Sequence, residues 1–191
     1  MKFTSWLFLT FIAMGFLSCE KLYKQEKIEL IPIEGFLLTD NLGNVTGEIG
    51  DASDDWNLNS WEQLTPLEKS FIDFSDGISM ANTRVTNVLE PVAFANPFQY
   101  QSNIYFQSED SIKLKIAIVD ASGYVWRNMA VKMKGSKMVY FDFSNSKEFP
   151  SGMSMRYYYS FSASSQNHFK VGYGDIKVCR NSGELESCFT P

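Results

Sequence analysis

Residues 112–118 alternate without a break. Ile112, Leu114, Ile116 and Ile118 share one side, and Lys113 and Lys115 the other. A period of two places successive side chains on opposite faces of a strand, so this run predicts a strand with an apolar face and a solvated end. The pattern recurs downstream. Val139, Phe141 and Phe143 alternate with Tyr140 and Asp142; Met153, Met155, Tyr157, Tyr159 and Phe161 alternate with Ser154, Arg156, Tyr158 and Ser160. Phe169, Val171 and Tyr173 lead into Ile176 and Val178. Turn residues part the runs, as at Asp120-Ala121-Ser122-Gly123 before Tyr124-Val125-Trp126. Several short strands at this spacing predict an antiparallel β-sandwich over residues 91–191. The 16 Phe, 9 Tyr and 4 Trp agree with it, because aromatic rings suit a pleated, half-buried surface. Composition does not separate core rings from rings exposed for binding.

Residues 28–90 read as a β, loop and helix segment packed on that sandwich. Ile28 to Leu38 is apolar but contains Pro32, which cannot donate to a ladder, so it predicts an edge strand or two short strands. Asp40-Asn41-Leu42-Gly43-Asn44 is a turn and Val45 to Ile49 returns, giving a hairpin. Gly50 to Leu64 is polar, with Trp56 and Trp61 embedded. Asp51, Asp54 and Asp55 in that loop are candidate calcium ligands, although their spacing is not that of an EF-hand; a solvated loop pinned by Trp is the competing reading. Thr65-Pro66-Leu67-Glu68 is a capping box with Pro at the first helical position, so a short helix follows, ending before Ser75-Asp76-Gly77.

The N-terminus carries a different signal. Lys2 precedes an apolar run from Trp6 to Phe16, and Leu17-Ser18 sets a small residue before Cys19. The run is shorter than the roughly 20 residues of a membrane span. A charged start, a short apolar stretch and a cleavage site make a signal sequence, and with Cys19 following it resembles a bacterial lipoprotein signal over residues 1–18. The resemblance implies a covalent lipid on Cys19, a tether over 19–27 and an outer-membrane location, at the cell surface or the periplasmic face. Glu20 and Glu26 are a sparse version of the acidic export mark of Bacteroidetes lipoproteins. With 17 basic and 22 acidic side chains the net charge is −5, and removing residues 1–18 takes away only Lys2. An acidic chain is a poor partner for nucleic acid, whose binding is dominated by phosphate contacts. Cys179 and Cys188 remain, and an even pair in an exported protein predicts a disulfide. A metal pair is the rival, weak without a neighbouring histidine.

Ala95-Asn96-Pro97-Phe98 resembles the entry to an Ig-like domain found in flagellar hook-capping proteins and in the C-terminal domains of type IX secretion cargo. Ile104-Tyr105-Phe106, the Asp-x-x-Gly turn in Ile116 to Val125, and Phe149-Pro150-Ser151-Gly152-Met153 follow in that family's order. The resemblance covers about residues 88–178 and implies a mainly β, Ig-like antiparallel sandwich, here with an N-terminal hairpin, loop and short-helix extension. A lipidated cysteine in front and a disulfide tail behind set it apart from cleaved secretion cargo.

Chemistry is sparse. His168, the one histidine, lies in the polar connection Ser164 to His168 and reads as a solvated residue. No Gly-x-Ser-x-Gly elbow supports a triad, and Gly172 and Gly174 read as a strand bulge. No catalytic residue and no cofactor beyond the lipid are expected. The chain reads as a non-enzymatic, lipid-anchored accessory subunit of an outer-membrane assembly, secretion or uptake complex. Trp56, Trp61, Trp126 and Arg127 are the partner-binding candidates, since buried Trp and Arg dominate protein contacts. The alternative is a surface glycan-binding lipoprotein, whose exposed rings stack on sugars while Asn57, Asn59 or the Asp cluster binds hydroxyls.

Overall fold

The computed structural model describes residues 31–80, 87–180 and Cys188. The signal and tether expectations, Cys19 included, lie outside these residues, as does the loop joining Cys179 to Cys188.

Two short strands, β1 (Gly35–Thr39) and β2 (Val45–Gly50), form the expected hairpin. Its turn is organised by Asp40, whose carboxylate accepts the N–H groups of Leu42 and Asn44 at 2.8 and 2.9 Å. A 3₁₀ turn at Trp61–Gln63 leads to α1 (Pro66–Ile72). The capping box is formed as the sequence predicts: Glu68 accepts the Thr65 N–H at 2.8 Å, and the Thr65 hydroxyl accepts the Glu68 N–H at 3.3 Å.

The remaining strands make one curled antiparallel sheet: β3 (Val92–Phe94), β4 (Gln101–Asp120), β5 (Val125–Asp142), β6 (Ser154–Ser162) and β7 (Lys170–Lys177). β4 is its spine. One edge pairs with β5 along nearly its whole length, with a register shift between Ser108 and Ile112. The other edge takes β3 at Asn103–Tyr105 and β6 at Lys113–Asp120, and β7 extends β6. Strand twist carries the two halves of so long a strand into different planes, so the sheet folds over its own core. A parallel bridge between Phe98 and Val178 returns the end of β7 to the β3–β4 connection. The architecture is thus mainly β, antiparallel and sandwich-like. Its two longest strands are continuous where polar interruptions such as Gln107 to Ser111 break the apolar alternation; β4 absorbs that stretch as the irregularity.

The inner core gathers Ile104, Phe106, Leu114, Ile116 and Ile118 with Tyr157, Tyr159, Phe161 and Ile176. The opposite face of β4's second half is covered, contrary to the solvated end expected for Lys113 and Lys115. α1 lays Phe71 and Ile72 over Ala117, Val119, Tyr158 and Val171. Beyond it, Asp76 receives Lys113 at 3.0 Å and Lys115 at 3.1 Å. The lysine stems lie along apolar surface while their ammonium groups find a carboxylate, leaving Lys115 only 5% exposed. At the other end Cys179 and Cys188 are joined, Cα atoms 5.7 Å apart, so the pair is a bridge.

Candidate functional site

The loop after β2 crosses the ends of β6 and β7, where register sets Arg156 opposite Asp175. The pair is bidentate, Nε to Oδ1 and Nη2 to Oδ2 both at 2.6 Å. Arg156 also donates to the Pro32 carbonyl at 2.9 Å and lies 4.0 Å over the Tyr173 ring. Asp55 joins from the loop. Its Oδ1 accepts the Asp175 N–H at 2.7 Å and its Oδ2 the Leu37 N–H at 3.0 Å. Burial and the nearby Asp175 charge push Asp55 up to about 7, against the pull of those N–H groups and Arg156. A cleft of about 170 Å³ opens here, also lined by Glu34, Asp51, Ser53 and Asp54. Both Asp55 oxygens are engaged by main-chain donors. The cluster fastens β1, the loop, β6 and β7 together.

The candidate calcium ligands Asp51, Asp54 and Asp55 line this cleft but do not converge as a metal-binding group. Asp51 accepts the Ser53 N–H at 3.1 Å and closes its own turn, while Asp55 turns inward. Among the described residues no group of three or more His, Cys, Asp or Glu side chains is placed to hold a metal ion.

The four partner-binding candidates do not form one patch. Trp56 is a core residue, 4% exposed: its ring stacks on Tyr159, centroids 6.2 Å apart, and lies against Gly174. That contact also corrects the bulge expected at Gly172 and Gly174. β7 pairs with β6 without a register shift, and the missing side chains admit Trp56 and Tyr159. Trp61 lies flat on His168, ring centroids 4.0 Å apart. Trp126 is half-buried, donating to Asp120 at 2.8 Å and packing on Phe149. Arg127 beside it is exposed, 3.6 Å from Glu148.

His168 is not a solvated loop residue either. Under Trp61, its Nδ1 stands 2.6 Å from the Ser160 Oγ and its Nε2 3.7 Å from Asp73. Burial lowers its pKa, aided by Lys115 and Lys113 and opposed by Asp73. The triad residue types therefore meet, but Ser160 is wholly buried in β6, between β4 and β7.

Two anchoring residues escaped sequence reasoning. Asn96, 1% exposed, donates to the Leu37 and Asp175 carbonyls at 2.8 and 2.9 Å and accepts the Lys177 N–H at 3.1 Å. Arg180 donates to the carbonyls of Gln99, Phe143 and Phe149. The Asn-Pro pair marks the first by position; nothing local marks the second.

Of the large exposed apolar side chains, Leu42, Val45, Leu89 and Tyr100 lie elsewhere, and Tyr124, Met138 and Tyr140 lie at or beside the two ends of β5. At its start Tyr124 is 60% exposed and meets Trp126 edge-on. Near its end Met138 and Tyr140 are 56% and 69% exposed, opposite Tyr105 and Asn103, on the face turned away from the core. The hairpin tip borders this face, because Gly43 lies against Val92 and Phe94.

No family model matches the chain, and no curated protein matches it. Among solved structures, a glycosyl hydrolase family 2 member from Bacteroides cellulosilyticus DSM 14838 is 13% identical, with a TM-score of 0.28. The match covers 49% of this chain and 14% of that one, and a likeness this faint carries no argument.

Proposed function

We propose that this protein is a non-catalytic, lipid-anchored envelope protein that acts as a docking subunit of an outer-membrane assembly, secretion or uptake complex. The observation that carries the reading is an exposed tyrosine at each end of β5, each beside half-buried aromatic neighbours. Tyr124 stands with Trp126 and Arg127 at one end, and Tyr140 stands with Met138 and Tyr105 at the other. Tyrosine, methionine and arginine are the side chains enriched in protein interfaces. Elsewhere the groups that suggest chemistry are engaged internally: Asp55 by main-chain donors, Ser160 by burial, His168 by Trp61. Lipid chains on Cys19 would hold this scaffold at a bilayer, and several chains make a stable anchor where one is marginal.

The glycan-binding alternative changes its address. Of the rings in the polar loop, Trp56 is core and Trp61 has one face stacked on His168. What favours it is Tyr140 opposite Asn103, with Gln101 bonded to Asn103 at 2.6 Å on the same face. Titration with a polysaccharide panel tests it, and unchanged aromatic emission dismisses it.

The main test uses the full chain in the envelope of its host. Intact-mass analysis reads the modification of Cys19, and photo-crosslinkers replace Tyr124 and Tyr140 in turn. A diacylglycerol-sized mass and discrete crosslinked species at these positions, absent when the crosslinker replaces Asn145, are expected. An unmodified sulfur overturns the anchor, and no crosslink at either position on the lipidated protein overturns the docking role.

A further inference from the structure

β5 is an edge strand. Among the described residues it pairs with β4 alone, so main-chain groups along its other side point outward. Its side chains carry an unusual charge. Along it stand Arg127, Lys132, Lys134 and Lys137, against one carboxylate, Asp142, at its last position, in a chain whose net charge is −5. The cations divide between the two faces of the sheet. Arg127 pairs with Ile118 and Lys137 with Phe106, on the core side. Lys132 pairs with Lys113 on the outer side, and Lys134, two residues on, shares that side. Lys132 and Lys134 are exposed. Positive charge therefore brackets an open backbone ladder from above and below.

We propose that the free edge of β5 is the docking strand for an extended, acidic segment of a partner protein. That segment pairs main chain to main chain and sets carboxylates against Lys132 and Lys134 on one face and Lys137 on the other. The inference rests on the docking reading and gives it a partner chemistry. Strand addition to an open edge takes affinity from the main chain and specificity from alternate side chains. A second copy of this chain is disfavoured, because it brings lysines against lysines, and like charges across a strand pair repel. An anionic polymer lying on one face meets only half of the cations, whereas a strand alternates its side chains between both. Edge lysines also guard a lone protein against aggregation; the same repulsion, turned on an acidic strand, becomes attraction.

The test uses the full chain, with a short Val/Thr-rich peptide bearing glutamates on both faces as probe and its lysine-for-glutamate counterpart as control. Hydrogen exchange is read along 125–142, and binding by fluorescence anisotropy. The glutamate peptide should slow exchange in β5 while the lysine peptide does not. K132Q/K134Q/K137Q should weaken binding about tenfold, about 1.4 kcal/mol, and K132E/K134E/K137E should reverse the preference. Binding that survives both variants unchanged overturns the proposal. So does a glutamate peptide that leaves β5 exchange untouched, or protection of β5 by polygalacturonate but not by the peptide. The photo-crosslinks separate the two readings: a Tyr140 crosslink that persists in the glutamine variant keeps docking and removes the β5 edge from it. Loss of every crosslink in the wild type removes docking itself.

Discussion

Trp56 lies so close against Gly174 that a β-carbon on residue 174 would overlap the indole ring atoms. The contact is held from both sides. Trp56 adopts φ +62° and its main-chain N–H donates to the Tyr173 carbonyl at 2.7 Å, while β7 is fixed in the ladder with β6. Neither backbone can yield easily, so overpacking is costly here. Gly174→Ala should destabilise the fold by about 3 kcal/mol and shift Trp emission to the red. Urea unfolding followed by fluorescence and circular dichroism checks it; an unchanged midpoint would mean the indole has another place to go.

The same contact shows what a sequence can and cannot carry. Alternation at 112–118 and 154–161 is a local property, so the strands were legible. The capping box at Thr65 and Glu68 was legible for the same reason. Which surfaces meet is not local. Lys113 and Lys115 look solvated until Asp76 and α1 arrive from elsewhere in the chain. Trp56 looks like a loop anchor for a partner until Gly172 and Gly174 are found to open space for it and for Tyr159. His168 looks idle until Trp61 covers it. What a sequence does not carry is a residue's surroundings when they depend on what packs over it from a distant part of the chain.

Asp76 answers for two lysines. It is 5% exposed, and Lys115 also reaches the Phe74 carbonyl and lies over that ring. Burial opposes the Asp76 charge, but the Ile78 N–H and the two ammonium groups outweigh it and hold its pKa at about 2. Removing the carboxylate leaves two cations facing each other at a covered site. Asp76→Ala should cost about 3 kcal/mol, and Asp76→Ala with Lys115→Met distinctly less. Because the folded pKa is depressed, the stabilisation is present above about pH 4 and lost as pH falls through 2. Denaturant midpoints of the three proteins at pH 7 and pH 3 give the comparison.

Two other groups bend the stability profile in opposite senses. Asp55 is raised to about 7, so the folded state binds its proton more tightly than the unfolded chain. Its favourable contribution is complete below about pH 4 and lost as pH rises through 7. His168 is lowered, so the folded state prefers the neutral ring. Its contribution is present above the unfolded value of about 6.5 and lost as pH falls through the folded one. Asp55→Asn should flatten the slope between pH 4 and 7, and His168→Gln should flatten a slope of opposite sign beginning below about 6.5. Midpoints across pH 4–8, with the His168 ring titrated by NMR, separate the two. An identical profile in both variants would assign the slopes to other groups.

The bridge between Cys179 and Cys188 closes a short loop, at a sequence separation of 9. Constraining so short a loop stabilises by about 2–3 kcal/mol in the chain-entropy picture. Reduction, or Cys188→Ala with Cys179→Ala, should lower the unfolding temperature by several degrees and leave the far-ultraviolet spectrum intact, because β7 ends before the bridge. A collapse of strand signal on reduction would instead make the bridge a condition for folding.

Arg156 and Asp175 offer the sharpest test of whether the cleft cluster exists to stabilise. Both are nearly buried, 9% and 3% exposed in their side chains. A buried ion pair loses much of its Coulomb attraction to desolvation, while one partner left alone is penalised heavily. Arg156→Met should strand Asp175 beside Asp55, and Asp175→Leu should strand a guanidinium against Pro32 and Tyr173; each should cost about 3–5 kcal/mol. The double substitution Arg156→Met with Asp175→Leu removes both charges, and most of that loss should return. A double-mutant cycle by urea unfolding measures the coupling. Near-full recovery would show the pair to be replaceable as a prop. If the double variant stays as weak as either single one, the cleft's hydrogen bonds to Pro32, Leu37 and Asp55 form one unit that apolar packing cannot replace.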